Sequence, residues 1–320
     1  MLIISRYPHD IQTKIKSVET YRTGKYSVAF ICRRYRISKS SLMRWNRLYD
    51  GTKESLMEKS HRPHSKHPNS HTDQEIENIK RIIKRNNNIG LNEIYTKLID
   101  NYGYSRHYAS LYRVLRRLGY YVQKTEKETS QKPKHYDTPA FVGEKWQMDV
   151  KYVPKDCNAN LTDDYRYFQY TVIDEASRKR FIYAYNEQSS YSTCDFIMRA
   201  IRFFGYKPKT IQTDNGFEFT YFKDIDKIHP VDILLNSLGI IHKLIRPRTP
   251  RHNGKVERSH RNDSERFYKY LKFFSFEDLQ KQMKAYLKRS NSIRSASINW
   301  LSPILKEKSL IESGFTNYII

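Results

Sequence analysis

Three acidic residues stand out by position rather than by number. Asp149 falls in Glu144–Pro154, EKWQMDVKYVP. Trp146, Met148, Val150 and Tyr152 share one parity there, and Gln147, Asp149 and Lys151 the other, so Asp149 is the one acid in the middle of a strand. Asp214 falls in KTIQTDNGFEF, where Thr210–Thr213 fits a short buried strand and Asp214-Asn215-Gly216 a tight turn, which puts Asp214 at a strand's C-terminal end. Glu257 falls in RPRTPRHNGKVER. Pro247, Pro250 and Gly254 hold that chain in a loop, and a helix starting near Asn253 or Gly254 and running to about Tyr270 puts Glu257 in its first turns. Carboxylates are hard oxygen donors, the residue type that ligates Mg²⁺ or Mn²⁺. Each acid also has a plainer reading: Asp-Asn-Gly is common turn chemistry, and Glu257 with Arg261 is an i,i+4 ion pair.

Other chemistry finds little support. Cys32, Cys157 and Cys194 form no CxxC pair and no disulfide framework, and they fit a reducing compartment. His61, His64, His67 and His71 lie in a Pro/Ser/Asn-rich break without a nearby Cys, so they read as linker residues rather than ligands.

The elements that must position the acids alternate strand and helix. Tyr165–Ile173 (YRYFQYTVI) is strongly β-prone, with Asp174 opening the turn after it, and Arg180–Tyr185 follows closely, so the first three strands form an antiparallel meander. A helix over Ser192–Phe204 comes next, then the Thr210 strand, a helix over Pro230–Gly239, a strand over Ile240–Ile245 and the Glu257 helix. Phe276–Ser290 is amphipathic, with Phe276, Leu279, Met283 and Leu287 on its core side.

Residues 1–140 read as helical throughout. They carry 28 Lys/Arg against 13 Asp/Glu, whereas residues 141–320 carry 30 against 21. The whole chain of 320 residues has a formal charge of +24, which points to a polyanion as partner. Hydrophobic residues make up 38%, enough for real cores. No run approaches the roughly 20 apolar residues of a membrane span, and the start, MLIISRYPHD, is too short an apolar stretch for a signal peptide. In residues 1–60, Ile11, Ile15, Val18 and Tyr21 form a helical stripe ended by Gly24, a short helix covers Val28–Tyr35, and Ser38 caps a third helix. Ser38, Lys39, Ser40 and Arg44 suit a recognition helix whose early residues face base edges while capped amides meet a phosphate. Thr72-Asp73-Gln74-Glu75 is a capping box opening a second module over 72–122, with helices near 72–85, 91–100 and 105–118 and a wing near Tyr120–Lys124. Arg106, Arg113, Arg116 and Arg117 are left to face outward. A polar linker covers 123–139, a catalytic core 140–300 and a C-terminal tail 301–320.

Taken in this order, WQMDV, TDNGFEF and PRTPRHNGKVER resemble the three acidic motifs of bacterial insertion-sequence transposases of the DDE type, whose core is retroviral-integrase-like. The resemblance covers about residues 140–300, and paired N-terminal helix-turn-helix modules match that family's layout. It implies an α/β ribonuclease H-like core, a mixed five-stranded sheet with flanking helices, preceded by all-α DNA-binding domains. It implies that Asp149, Asp214 and Glu257 hold two Mg²⁺ or Mn²⁺ ions, with Asp149 bridging both. It implies cleavage of the ends of a mobile element and joining of their 3′-hydroxyls to target DNA. Lys255, Arg258 and Arg261 would hold DNA phosphates near the site, with His252 and Asn253 positioning the scissile strand. The active assembly would be at least a dimer on double-stranded DNA. The abundance of Lys, Ile, Asn and Tyr points to an AT-rich genome and a bacterial cytoplasm, associated with the nucleoid. One departure concerns spacing: 42 residues separate Asp214 from Glu257, more than is usual in the family. Phe222–Asp232 reads as the insertion, and Glu265 is the alternative third acid. Two rivals are an end-binding repressor with an inactive core and a nuclease without strand transfer.

Overall fold

The computed structural model describes residues 9–58, 65–86, 89–120, 138–160, 165–221, 227–245 and 253–314. The expected wing beyond Tyr120, most of the linker, part of the insertion and the loop 246–252 with His252 lie outside them. The chain divides into two compact units, Met1–His71 and Thr72–Ile320.

The first unit holds α1 (Ile11–Arg22), α2 (Val28–Tyr35) and α3 (Lys39–Leu48) around Val18, Ile31, Ile37, Leu42 and Trp45. The turn between α2 and α3 has no glycine. Arg36 takes the left-handed conformation there, at φ 53°, where most side chains are strained. The Ser38 hydroxyl accepts from the Ser41 amide and caps α3. Lys39, Ser40 and Arg44 are exposed.

The second unit opens with α4 (Asp73–Arg85), α5 (Leu91–Tyr102) and α6 (Tyr108–Arg117), packed through Ile79, Leu98, Leu111 and Leu115. The capping box forms as expected: Thr72 and Glu75 each accept from the other's backbone. These helices are not an isolated module. Trp300 packs against Tyr95 and Tyr108, Arg289 forms a two-pronged ion pair with Glu93, and Arg294 pairs with Asp100.

The sheet that follows contains β1 (Lys145–Tyr152), β2 (Phe168–Asp174), β3 (Arg180–Tyr185), β4 (Thr210–Thr213) and β5 (Ile241–Leu244), in the order β3-β2-β1-β4-β5. β1, β2 and β3 pair antiparallel, and β4 and β5 join parallel to β1. Because β1 is central, its residues are covered on both faces. Trp146 and Met148 meet α7 (Ser190–Phe204) and α8 (Pro230–Ser237) in one core. The opposite face receives α9 (Gly254–Arg266) and α10 (Phe276–Ser292), where Leu279, Met283 and Leu287 pack on Ile182 and Ala184. This is the expected ribonuclease H-like arrangement, a mixed five-stranded sheet with flanking helices behind a helical N-terminal region.

The expected tail from residue 301 is corrected. α11 (Pro303–Glu312) is a capped helix, and Leu310 and Ile311 pack against the first core. Its Glu307 accepts from the Tyr206 hydroxyl and pairs with Lys179. Among the described residues no helix is long and apolar enough to cross a membrane.

Candidate active site

The register of β1 and β4 brings two of the three acids together. Gln147 stands opposite Gln212 on these parallel strands. Two residues further along stand Asp149 on β1 and Asp214 just past the end of β4, close enough for the Asp149 charge to act on Asp214. The Asp214 carboxylate accepts from the Gly216 amide, which holds it at the strand's exit. Burial raises the Asp214 pKa; the Gly216 hydrogen bond lowers it, and the charges of Asp149 and Glu218 raise it further.

α9 brings the third acid. Its N-terminus is clamped to β1 by Gln147, whose side-chain carbonyl accepts from the amides of Lys255 (3.1 Å) and Val256 (3.3 Å). These are first-turn amides with no partner inside the helix. Asn253 adds a bond from its Nδ2 to the Met148 carbonyl. With the first turn fixed to the strand that carries Asp149, Glu257 comes within electrostatic reach of it. Burial raises the Glu257 pKa, Asp149 raises it further, and His260 and Arg261 oppose this. Glu265 lies two turns further along the same helix.

Two neighbours complete the site. The His260 Nδ1 is 3.3 Å from Asp149 Oδ2. His260 Nε2 and Asn253 Oδ1 are buried and have no hydrogen-bond partner among the described residues. Such atoms carry a free-energy cost until something binds them. Further along α9, Asp263 is fully buried and pairs with the buried Arg180 at 2.7 Å. It also accepts from Gln169 and Tyr286, so α9 is tied to β2, β3 and α10 at once.

The basic residues separate into engaged and exposed groups. Lys255, expected to hold a DNA phosphate, has its ammonium 2.6 Å from Glu175, which also pairs with Lys145 and accepts from Gln147. Burial lowers the Lys255 pKa to about 8 despite that hydrogen bond. Arg106 likewise turns inward, to Glu75 of the capping box at 2.7 Å. Arg258 and Arg261 are exposed on α9, and Arg113, Arg116 and Arg117 are exposed on α6. His260, Glu218 and the Gln147–Glu175 pair were not singled out from the sequence. His260 had a visible signal, three residues after Glu257 on one helix. Gln147 and Glu175 had none, because their partners are distant in the chain.

Residues 141–250 and 238–303 match two models described as integrase core domain. A protein of Spiroplasma virus SpV1-C74, named as a proposed integrase, is 32% identical over 179 residues, or 52% of this chain and 48% of that one. The match therefore spans about half the length of that relative. Among solved structures, the HTLV-2 integrase catalytic core in complex with magnesium is 19% identical with a TM-score of 0.41, covering 52% of this chain and 97% of that one. The BIV integrase catalytic core is 20% identical with a TM-score of 0.41, covering 54% and 99%.

Proposed function

We propose that this protein, whose residues 141–303 match integrase core domain models, is a DNA transposase: it cleaves the ends of a mobile element and joins the freed 3′-hydroxyls to target DNA. The observation that carries the reading is Asp149 on β1 close to Asp214 just past the end of its parallel neighbour, with the start of the Glu257 helix clamped to β1.

Asp149, Asp214 and Glu257 are the residues that would hold divalent cations. All three offer hard oxygen donors, and in two of them burial and the Asp149 charge disfavour ionisation, a penalty that a cation reverses. Two bound Mg²⁺ or Mn²⁺ ions would activate an attacking oxygen and stabilise the leaving one in a displacement at phosphorus. Among the described residues no three His, Cys, Asp or Glu side chains stand as a ready cage, so loading would draw the carboxylates together. His260 would hold the Asp149 carboxylate through Nδ1. The orphaned atoms of Asn253 and His260 would meet the scissile strand. Arg261 would hold a phosphate beside it, and Arg258 a phosphate of the adjoining DNA.

In the first unit, Ser38, Lys39, Ser40 and Arg44 at the start of α3 would read element ends, supported by Arg113, Arg116 and Arg117. Bringing two ends together calls for at least a dimer on the DNA. The setting is a bacterial cytoplasm, at the nucleoid. The presence of all three acids favours this reading over an inactive end-binding repressor, and the N-terminal helices favour it over a general nuclease. The test is joining of labelled duplexes, ending in the DNA that flanks the reading frame, to a plasmid in Mg²⁺. Labelled plasmid is the expected product. A protein that binds these ends and joins none of them is a repressor, and one that only degrades them is a nuclease.

A further inference from the structure

Helix α9 has two working faces. One carries Glu257 and His260 toward Asp149. On the other, Lys255, Ser259, Asn262 and Arg266, spaced by three or four residues, line a cavity of about 570 Å³. Its remaining walls come from α5, α6, β2 and β3 with the turn between them, the end of α10 and the turn around Trp300. Seven of the lining residues are Arg or Lys and one is acidic.

Several of these cations already have counter-ions: Arg180 has Asp263, Arg289 has Glu93 and Arg294 has Asp100. Arg258 and Arg266 have neither an ion-pair nor a hydrogen-bond partner among the described residues. The Arg266 guanidinium lies against Gly90, where an added Cβ would be 3.2 Å from it. Gly90 is the N-cap of α5, so a cation is held at the positive end of a helix. That juxtaposition is unfavourable unless an anion sits between them. The Arg294 Nε, beside Trp300, is buried without an acceptor.

The lining is also aromatic. The rings of Tyr108 and Trp300 are 4.4 Å apart and tilted by 40°. Trp300 is held there by an unusual backbone, since Asn299 and Trp300 both have positive φ, at 57° and 59°. Two successive non-glycine residues in this region are strained. Packing of the indole on Tyr95 and Tyr108 offsets that strain. Free guanidiniums and aromatic rings lining one cavity of ordinary ligand size are what a nucleotide needs: charge for its phosphate and a flat apolar surface for its base. A base inside a duplex has both faces covered by its neighbours, so the fit is to a nucleotide out of the stack.

We infer that this cavity receives one unpaired nucleotide of a DNA strand, with its phosphate between Arg258 and Arg266 and its base against Trp300 and Tyr108. The inference rests on the DNA-joining reading, which puts freshly cut strand ends beside α9. The test uses the full chain without divalent cations and follows tryptophan fluorescence during titration with a short oligothymidylate. The expected result is a quench that disappears in Trp300→Phe. The double variant Arg258→Gln/Arg266→Gln should bind about ten-fold more weakly, with a salt dependence shallower by roughly 0.7 in slope, one phosphate charge on a single strand. A 5-iodouracil oligonucleotide should photo-crosslink to the peptide carrying Trp300, a readout independent of how the variants fold. An equal quench by duplex, an unchanged slope in the double variant, full competition by inorganic phosphate, or crosslinks only elsewhere would each overturn the inference. Binding and joining are scored separately. Oligonucleotide seated in the cavity of a protein that joins nothing would sink the joining reading and leave the site standing.

Discussion

Asp263→Asn removes the only acid that faces Arg180 in the structure's described contacts, in a place closed to water. The two side chains are 0% and 8% exposed, and their charged atoms are 2.7 Å apart. At an effective dielectric near 20 their gross attraction is about 6 kcal/mol. Desolvation consumes much of that gain, but losing one partner leaves a buried charge uncompensated, which costs about 3–5 kcal/mol. Ser259, Ser290 and Tyr286 would remain around Arg180 and offset little of a full charge. At roughly 2–4 °C per kcal/mol, the second unit should melt about 6–20 °C lower. Arg180→Met should cost a similar amount, and the apolar pair Arg180→Met/Asp263→Leu should recover most of the loss. Burial raises the Asp263 pKa, but the Arg180 charge and the hydrogen bonds from Gln169 and Arg180 outweigh it and leave it below the usual carboxylate value. Its stabilising contribution is therefore present above the ordinary carboxylate pKa and is lost as pH falls through the lower native value, below about pH 4. Urea melts at pH 7 of the wild type, Asp263→Leu, Arg180→Met and the pair supply the double-mutant cycle. Single losses under about 1 kcal/mol, or strict additivity, would refute the reasoning.

Three further outcomes follow from other contacts. Gln147→Leu strips two amides at the start of α9 of their acceptor and Glu175 of a donor, so it should cost about 2–4 kcal/mol and lower joining more than DNA binding, as read by melting, joining and gel-shift assays. Burial raises the Asp174 pKa to about 6, against the hydrogen bonds from Ser177 and Gly143. The folded state therefore holds this proton more tightly than the unfolded chain, and stability should fall by up to about 3 kcal/mol as pH rises from 4 to 6. Asp174→Asn should flatten that slope, and an unchanged pH profile would contradict it. Arg36→Gly relieves a left-handed residue at φ 53°. It should leave the first unit's stability within about 1 kcal/mol of the wild type or slightly above it, whereas Arg36→Val should lower the melting temperature.

The legible features were those encoded by neighbours in the chain. Ser38 and Thr72 announce their helices because caps act over three residues. The parity of Trp146 and Met148 gives β1, and the acids could be ordered along strand, strand end and helix. Long-range pairing was not legible. Lys255 looks like a surface cation until Glu175, 80 residues away, neutralises it. Arg106 looks outward until the capping box supplies Glu75. Gln147 reads as an ordinary strand residue, yet it fixes the helix that carries Glu257. The last helix was missed for the same reason: Glu307 meets Lys179 and Tyr206 only once the sheet has formed.

The central claim is that Asp149, Asp214 and Glu257 act as one site. Its most direct test is strand joining by Asp149→Asn, Asp214→Asn and Glu257→Gln, measured in Mg²⁺ beside end binding by the same proteins. Loss of joining in all three, with binding and melting temperature retained, is the predicted result. Wild-type joining by Glu257→Gln would contradict the third assignment, and wild-type joining by either aspartate variant would contradict the account as a whole.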